Sequence, residues 1–313
     1  MDCSARLVDM THDPRRPFGR LITAMVTPFT SDGALDVSGA QRLASYLVDE
    51  LGNDGLVVSG TTGEAPTTSD AEKETLLRAV IEAVGDRAQV IAGVGTNDTA
   101  HSVELARAAE KAGAHGLLVV TPYYSKPPQA GLLRHFTAVA DATELPVMLY
   151  DIPGRTATAI ATDTICRLAE HPRIVAVKDA KGDLFASSQV MARTDLAYYS
   201  GADELNLALA ALGAVGAVSV VAHVAGREIK EIFEAVERGD LERARQLNTR
   251  LLPVYAGMMT RAQGVVTTKA VLSMRGLPAG PVRPPLVDAD EGLRAALRED
   301  LRAADMEVSE VSR

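Results

Sequence analysis

The chain has 313 residues, of which 47% are hydrophobic and 23% are charged, and its formal net charge is −9. This length suits one large domain, or one domain with a smaller appendage. The acidic balance and the lack of a basic stripe argue against nucleic acid as a partner. No run of 18 apolar residues occurs, so the sequence predicts no transmembrane helix and no membrane partner.

The N-terminal residues 1–18, MDCSARLVDMTHDPRRPF, lack the apolar segment of a secretory signal. We interpret them as a loosely ordered extension. Cys3 lies in this extension and Cys166 in a helical pattern, and two cysteines are too few for a disulfide framework. The simple interpretation is a protein with free thiols in a reducing compartment, the cytoplasm.

Eight short apolar runs follow in chain order, separated by amphipathic stretches. They are almost continuously apolar, which is typical of parallel strands buried on both faces. The runs are LITAMVTPF (21–29), GLVVSG (55–60), QVIAGV (89–94), GLLVVTP (116–122), PVMLYDI (146–152), IVAVKDA (174–180), AYYSG (197–201) and GAVSV (216–220).

The stretches between the runs have helical periodicity. The stretch from Ser69 to Gly85 opens with a capping box, formed by Ser69 and Glu72, and closes at a glycine. Eight strand–helix units within residues 19–240 predict an α/β fold of the (β/α)8 TIM-barrel type as the catalytic domain. The structural alternative is a doubly wound open sheet, which needs fewer strands and a switch point.

After Asp240 the alternation stops. Three stretches beginning at Leu241, Thr267 and Glu291 have helical patterns. The segment GLPAGPVRPPL (276–286) that joins two of them is too rich in proline for regular structure. We therefore predict a C-terminal helical appendage over residues 241–313.

The carboxyl ends of the strands are where a barrel of this type carries its active site. Lys178 closes the apolar run Ile174–Val177, so its amine is expected to lie against apolar neighbours. Burial favours the neutral amine, which can attack a carbonyl and form a Schiff base. The alternative is a lysine whose ammonium reaches solvent from the strand end.

Two loops at strand ends carry further polar groups. In SGTTGEAPT (59–67), glycines flank Thr61 and Thr62, and the backbone N–H groups there could hold a carboxylate. The alternative is a tight strand-to-helix turn. Arg155 follows Pro153-Gly154 after Tyr150, where it could pair with a carboxylate or simply be solvated.

The remaining candidate groups indicate little. The six histidines form no metal-ligand spacing, so no metal is expected. We interpret His135 and His171, which lie in helical patterns, as surface residues. Tyr123 and Tyr124 stand at the end of the fourth run, ahead of Pro127-Pro128, and need polar partners.

Taken together, these strand ends resemble the pyruvate-dependent class I aldolase superfamily and, more narrowly, the dihydrodipicolinate synthase family. The resemblance runs from about residue 19 to the end of the chain. It is specific because four motifs match in order and spacing: GTTGE (60–64), TPYY (121–124), LYDIPGRT (149–156) and VAVKDAKGD (175–183).

The resemblance implies a role for each of these residues. Lys178 is the Schiff-base lysine, and Thr61 with Thr62 holds the carboxylate of pyruvate. Thr61, Tyr150 and Tyr124 form a proton relay, with Tyr124 reaching across a tight dimer interface into the neighbouring subunit's site. Tyr123 faces the interface cleft. The substrate-binding set is Thr61, Thr62, Arg155, Gly201 and Val218, with Arg155 on the carboxylate of the second substrate.

The family's reaction condenses pyruvate with L-aspartate 4-semialdehyde in the diaminopimelate and lysine pathway, without a cofactor. The family is commonly a homotetramer, a dimer of dimers. Related alternatives are N-acetylneuraminate lyase and 2-keto-3-deoxy sugar acid aldolases or dehydratases, which generally lack PGRT. A non-catalytic barrel that binds keto acids is disfavoured by the intact Lys178, Tyr150 and Thr61. Asp151 is one departure, since many members have asparagine there.

The resemblance also bears on feedback by lysine. Lysine-sensitive members bind the effector near the position of Tyr123 and use a glutamate on the helix after the third strand. Here the matching residue is His101, whereas Asn97 is retained. Lys73 on the neighbouring helix would repel a dicationic ligand, although Asp70 or Glu104 could partly substitute for the glutamate. We therefore expect weak or absent inhibition by lysine.

Overall fold

Eight parallel strands form the centre of the computed structural model, which describes residue 13 and residues 15–306. Each predicted apolar run contains one strand. The strands are β1 (Leu21–Ala24), β2 (Gly55–Val58), β3 (Gln89–Gly93), β4 (Gly116–Val120), β5 (Val147–Asp151), β6 (Ile174–Asp179), β7 (Ala197–Ser200) and β8 (Gly216–Ser219).

The sheet closes on itself. Every strand pairs in parallel with the next in the sequence, and β8 pairs with β1 through the partners Leu21 and Ala217, and Ile22 and Val218. A doubly wound open sheet has two free edges, which this pairing excludes. The predicted (β/α)8 barrel is thus confirmed.

Helices cover the outside of the barrel and continue beyond it. They are α1 (Val37–Ser45), α2 (Asp70–Val84), α3 (Thr99–Ala112), α4 (Gln129–Asp141), α5 (Pro153–Thr156), α6 (Thr162–Leu168), α7 (Leu184–Arg193), α8 (Asn206–Leu212), α9 (Ala222–Glu237), α10 (Leu241–Thr260), α11 (Gly264–Met274) and α12 (Glu291–Ala303).

The helix boundaries follow local capping. The predicted capping box is present at α2, where the Ser69 side chain accepts from the Glu72 N–H and the Glu72 carboxylate accepts from the Ser69 N–H. The helix predicted from Thr267 begins earlier, at Gly264, because the Gln263 side chain caps it by accepting from the Val265 N–H.

Because side chains alternate between the two faces of each strand, the hydrophobic core has two parts. One part fills the barrel interior and includes Phe18, Met148, Tyr150 and Ala176, while outward-facing residues of the same strands pack under the helices. Since successive side chains of a strand point to opposite faces, Lys178 shares the inward face with Ala176. At the opposite end of the barrel, the Tyr199 hydroxyl donates to the Gly19 carbonyl at 2.9 Å.

The C-terminal helices pack on the last barrel helices and then return to the strand ends. Helix α10 lies against α9 and α12. The segment after α11 reaches the loop that follows β1, where the Phe29 N–H donates to the Ala279 carbonyl at 3.2 Å. The division of the chain at residues 18 and 240 stays a prediction. Most of the predicted extension, including Cys3, lies outside the described residues.

One histidine does not lie where the sequence suggested. His135 on α4 is buried, and its Nδ1 lies 2.9 Å from the Thr99 hydroxyl of α3. Its position between Leu132 and Val139, one helical turn from each, places it on the apolar face. Burial lowers its pKa to about 4. The interpretation of His135 as a surface residue was therefore wrong.

None of the helices among residues 15–306 is both long and apolar enough to cross a membrane.

Gly280 is a position where only glycine fits. Its φ is +67°, and a Cβ there would lie 1.7 Å from the Phe29 carbonyl oxygen. We expect Gly280→Ala to destabilise the protein by more than the ~1–3 kcal/mol of a left-handed backbone alone. Gly239→Ala is the matched control, since its φ is +78° but nothing lies within 4 Å of the added atom. Urea unfolding of both variants measures the difference, and equal losses would contradict a steric role for Gly280.

Candidate active site

Lys178 and Tyr150 face each other at the inward carboxyl end of the barrel. The two residues are register partners on β6 and β5, and the Lys178 Nζ lies 4.0 Å from the centre of the Tyr150 ring. Only 4% of Lys178 is exposed. The sequence placed Lys178 at a buried strand end, and the structure adds that its amine packs on an aromatic face.

Gly201 gives the Lys178 side chain its space. A Cβ on Gly201 would lie 2.9 Å from the Lys178 Cγ and 3.0 Å from the Asp179 carbonyl oxygen. Val218 lies in the barrel interior on β8, where it pairs with Ile22 and is buried. Gly201 therefore contacts the lysine stem directly, whereas Val218 contributes to the apolar interior.

A cavity of about 510 Å³ opens over the strand ends. Thr61 lines it from the loop after β2, Tyr150 from the end of β5 and Arg155 from α5, so the fold brings these predicted site residues to one space. Lys178 lies beside this cavity, against the Tyr150 ring that forms part of its wall. The chamber is large enough for a small-molecule substrate.

A second group of residues lines the same cavity: Asp70, Lys73, Asn97, His101 and Tyr123. The His101 Nε2 lies 2.9 Å from the Asp70 carboxylate, and the Lys73 Nζ lies 3.7 Å from its other oxygen. Asp70 is thus already paired with two basic side chains.

Tyr123 and Tyr124 point in different directions. Tyr123 lines the cavity, whereas Tyr124 is 88% exposed on a backbone with a φ of +74°. A left-handed conformation is uncommon for a bulky residue. Tyr124 therefore lies outside the cavity of its own chain, where a neighbouring molecule could contact it.

Two hydrogen bonds hold the loop that carries Thr61 and Thr62. The Gly63 carbonyl accepts from the Thr27 hydroxyl at 2.6 Å, and the Ala65 N–H donates to the Gly60 carbonyl at 3.2 Å. Thr62 is buried, whereas Thr61 is partly exposed toward the cavity. These bonds fix the backbone around both threonines.

A buried ion pair anchors the end of this loop to the C-terminal segment. Lys269 on α11 lies with its Nζ 2.7 Å from the Glu64 carboxylate, and their side chains are 3% and 1% exposed. The Arg283 N–H donates to the other Glu64 oxygen at 2.8 Å. Burial lowers the pKa of Lys269, and the Glu64 carboxylate opposes that shift. This anchor was missed from the sequence, although a lysine inside the apolar stretch VVTTKAVL was a signal.

The class of protein is a (β/α)8 barrel whose strand ends carry a buried lysine, a tyrosine and a cavity with polar side chains in its wall. Comparison with known proteins then identifies the family. The chain belongs to the Dihydrodipicolinate synthetase family, which matches residues 17–304. The predicted family and the lyase class are therefore confirmed.

Two relatives and one solved structure illustrate the similarity. The chain is 69% identical to 4-hydroxy-tetrahydrodipicolinate synthase of Acidothermus cellulolyticus over 92% of this chain and 93% of the relative. It is 62% identical to 4-hydroxy-tetrahydrodipicolinate synthase 2 of Streptomyces coelicolor, over 95% and 99% of the two chains. The lysine-bound crystal structure from Cyanidioschyzon merolae has a TM-score of 0.90 at 41% identity, over 93% and 99%.

The Glu64–Lys269 pair yields a stability prediction. Lys269→Met leaves Glu64 buried without a cation and should destabilise the fold by about 3–5 kcal/mol. Adding Glu64→Gln removes the orphaned charge and should recover much of the loss. Thermal or urea unfolding measures both effects.

The exposed pair Arg78–Glu74 supplies a control. Its side chains are each 48% exposed, so Arg78→Met should change stability by no more than about 1 kcal/mol. A Lys269→Met loss as small as this control would show that burial does not amplify the Glu64–Lys269 interaction.

Proposed function

We propose that this chain condenses pyruvate with L-aspartate 4-semialdehyde, the 4-hydroxy-tetrahydrodipicolinate synthase reaction. The observation that carries the proposal is the buried amine of Lys178 on the ring of Tyr150, beside a cavity shared by Thr61 and Arg155. The names of the relatives at 62–69% identity support the same reaction.

Lys178 performs the covalent step. Its neutral amine attacks the carbonyl carbon of pyruvate, and loss of water from the adduct gives an iminium. The iminium draws electrons from the adjacent methyl group, so loss of a methyl proton gives an enamine. The enamine carbon then attacks the aldehyde of the second substrate. The amino group of that substrate finally displaces the lysine amine, and the ring closes.

Tyr150 moves protons during these steps, with Thr61 and Tyr124 as relay partners. Among the described residues the Tyr150 and Thr61 hydroxyls make no direct hydrogen bond, and relay contacts of this kind often tighten only when substrate is bound. Tyr124 is turned outward, so in this proposal it completes the relay of a neighbouring subunit.

Carboxylates are held by two separate groups. The backbone and hydroxyls at Thr61 and Thr62 take the carboxylate of pyruvate. Arg155, on the short helix α5 and exposed at the cavity wall, takes the carboxylate of the second substrate. Gly201 and Val218 complete the substrate-binding set, Gly201 by making room for the lysine stem.

We further propose a cytoplasmic homotetramer arranged as a dimer of dimers. The exposure of Tyr124 supports a partner on that face, since 88% of a large aromatic residue is otherwise left in water.

A coupled assay decides among the related activities. Pyruvate with L-aspartate 4-semialdehyde should give turnover, whereas sialic acid and 2-keto-3-deoxygluconate, tested in parallel, should give little. Greater turnover with either sugar acid would replace the proposed reaction with that of a related aldolase.

Covalent trapping tests the role of Lys178. Borohydride added with pyruvate should reduce the iminium and leave a stable adduct on Lys178, which peptide mass mapping locates. Lys181, three residues later and also in the Lys178 peptide region, is the internal control. An adduct on another lysine, or none, would refute the mechanism.

Subunit mixing tests Tyr124. Tyr124→Phe removes one hydroxyl and should lower turnover by about 10² to 10⁴ with the fold intact. Mixing this variant with Lys178→Ala under conditions that exchange subunits should restore part of the activity, because intact pairs form across the interface. Failure to recover activity despite demonstrated exchange would place the tyrosine in its own subunit's site.

We also propose that lysine inhibits weakly or not at all. Asp70, one of the two carboxylates (with Glu104) that could partly replace the missing glutamate, is paired with His101 and Lys73. Loss of one charged hydrogen bond weakens a site by roughly ten- to hundredfold. A titration of activity against L-lysine should show no sub-millimolar inhibition, and His101→Glu should increase the sensitivity. Strong inhibition of the unmodified enzyme would mean that another carboxylate binds the effector.

A further inference from the structure

Two buried carboxylates lie directly behind the proposed active site. Asp151 follows Tyr150 on β5 and Asp179 follows Lys178 on β6, and the two aspartates are register partners. They are 1% and 2% exposed. Because side chains alternate along a strand, both carboxylates point outward from the barrel while the catalytic pair points inward.

Both carboxylate oxygens of Asp179 accept hydrogen bonds. It accepts from the Ser187 hydroxyl at 2.6 Å, from the Lys181 N–H at 2.7 Å and from the Tyr198 hydroxyl. These bonds hold the loop after Lys178 against α7 and β7. Asp179 thus has no need of a further cation, whereas its negative charge faces Asp151.

Asp151 closes the segment that carries Arg155. Its Oδ1 accepts from the Ile160 N–H at 3.1 Å, which ties the two ends of residues 151–160 together. Its Oδ2 lies 3.4 Å from the Lys181 Nζ. Lys181 belongs to the loop that follows Lys178, so this contact joins the Schiff-base strand to the Arg155 segment.

The charges around Asp151 explain why Lys181 is needed. Burial raises the pKa of Asp151 to about 6, Asp179 adds to that rise, and Lys181 opposes it. A buried carboxylate beside a second carboxylate is unfavourable unless a cation is paired with it. Lys181 is the cation that the structure places on Asp151.

The other end of the segment is held by α4. The Gln129 side chain donates to the Ala159 carbonyl at 2.9 Å and accepts from the Ala161 N–H at 3.0 Å. These two bonds flank the Asp151–Ile160 bond. The backbone on the C-terminal side of Arg155 is therefore held by both Asp151 and Gln129. The Asp151–Lys181 contact links this segment to the Lys178 loop through side chains, beside the backbone bond from the Ala180 N–H to the Asp151 carbonyl at 2.9 Å.

We propose that Asp151 and Lys181 are a positioning pair, which sets the distance between Arg155 and Lys178 and so seats the carboxylate of the second substrate. The pair acts through the segment 151–160 and touches no substrate itself. This inference rests on the proposed function, because it needs Arg155 to bind that carboxylate.

The test separates use of the second substrate from formation of the Schiff base. Asp151→Ala removes the acceptor of the Ile160 N–H and should raise the KM for aspartate semialdehyde by about tenfold, the effect of one buried hydrogen bond. Lys181→Met, which orphans the carboxylate, should act in the same direction. The rate of borohydride trapping with pyruvate should stay near that of the unmodified enzyme in both variants.

A rescue variant distinguishes positioning from a general loss of structure. Asp151→Asn combined with Lys181→Met keeps an acceptor for the Ile160 N–H and leaves no charge to neutralise. Its KM for aspartate semialdehyde should therefore fall back close to that of the unmodified enzyme. Asp163→Asn is the matched control, since Asp163 pairs with Arg193 on the exposed surface. It should change neither KM nor trapping.

Each outcome of these experiments supports or overturns the positioning proposal. If Asp151→Ala and Lys181→Met leave the KM unchanged while Arg155→Ala raises it, the positioning proposal fails and the proposed function stands. If the trapping rate falls by as much as the KM rises, the pair has only a general structural role. The same conclusion follows if the KM of the double variant equals that of Lys181→Met. If Arg155→Ala leaves the KM unchanged, the role of Arg155 fails and this inference fails with it.

Discussion

Closure of the sheet is the constraint on which the rest of this structure depends. Pairing of β1 with β8 leaves no free strand edge and forces all eight carboxyl ends into one ring. Residues far apart in the sequence thereby meet in one cavity, as Thr61 does with Tyr150 and Arg155. The alternation of side chains then decides which residues enter the barrel, and on β6 it turns Lys178 inward and Asp179 outward.

The carboxyl end of this barrel holds several buried charges, whereas at the opposite end Arg20 is buried and pairs with Glu237. Lys178, the Glu64–Lys269 pair and the Asp151–Lys181 pair all lie near the strand ends. The far end is filled by Phe18 and Tyr199. Buried charges contribute little net stability but hold a particular geometry when they are paired. The apolar interior therefore stabilises the fold, while the paired charges determine the arrangement of the loops above it.

The fold was predictable because its signals are local. Each strand appears as a continuous apolar run, and the box formed by Ser69 and Glu72 marks the start of α2. Lys178 could be identified for the same reason, since it interrupts an apolar run where that run ends. The roles of the proposed site residues remain predictions, although the fold brings several of them together.

The features that escaped prediction depend on contacts between distant segments. Lys269 stands out in its apolar stretch, but nothing in the sequence identifies Glu64 as its partner, and their pairing exists only once α11 lies against the β2 loop. His135 was predicted to lie on the surface because histidine is polar. Its position on the apolar face of α4 buries it instead, and Thr99 supplies its polar partner there. Strand β1 ends at Ala24, short of the apolar run that continues to Phe29, because the chain leaves the sheet to meet the C-terminal segment.

The anchor at Glu64 has a consequence for how the protein is made. Arg283 and Glu64 are 219 residues apart in the chain, so the residues that hold the β2 loop leave the ribosome long after the loop itself. At ~5–20 residues per second, that delay is on the order of 10–45 s. Throughout this interval Glu64 has no buried cation, and the loop that carries Thr61 lacks its anchor. A nascent chain can therefore form barrel strands early, but the loop of its active site is anchored only after Arg283 has been made.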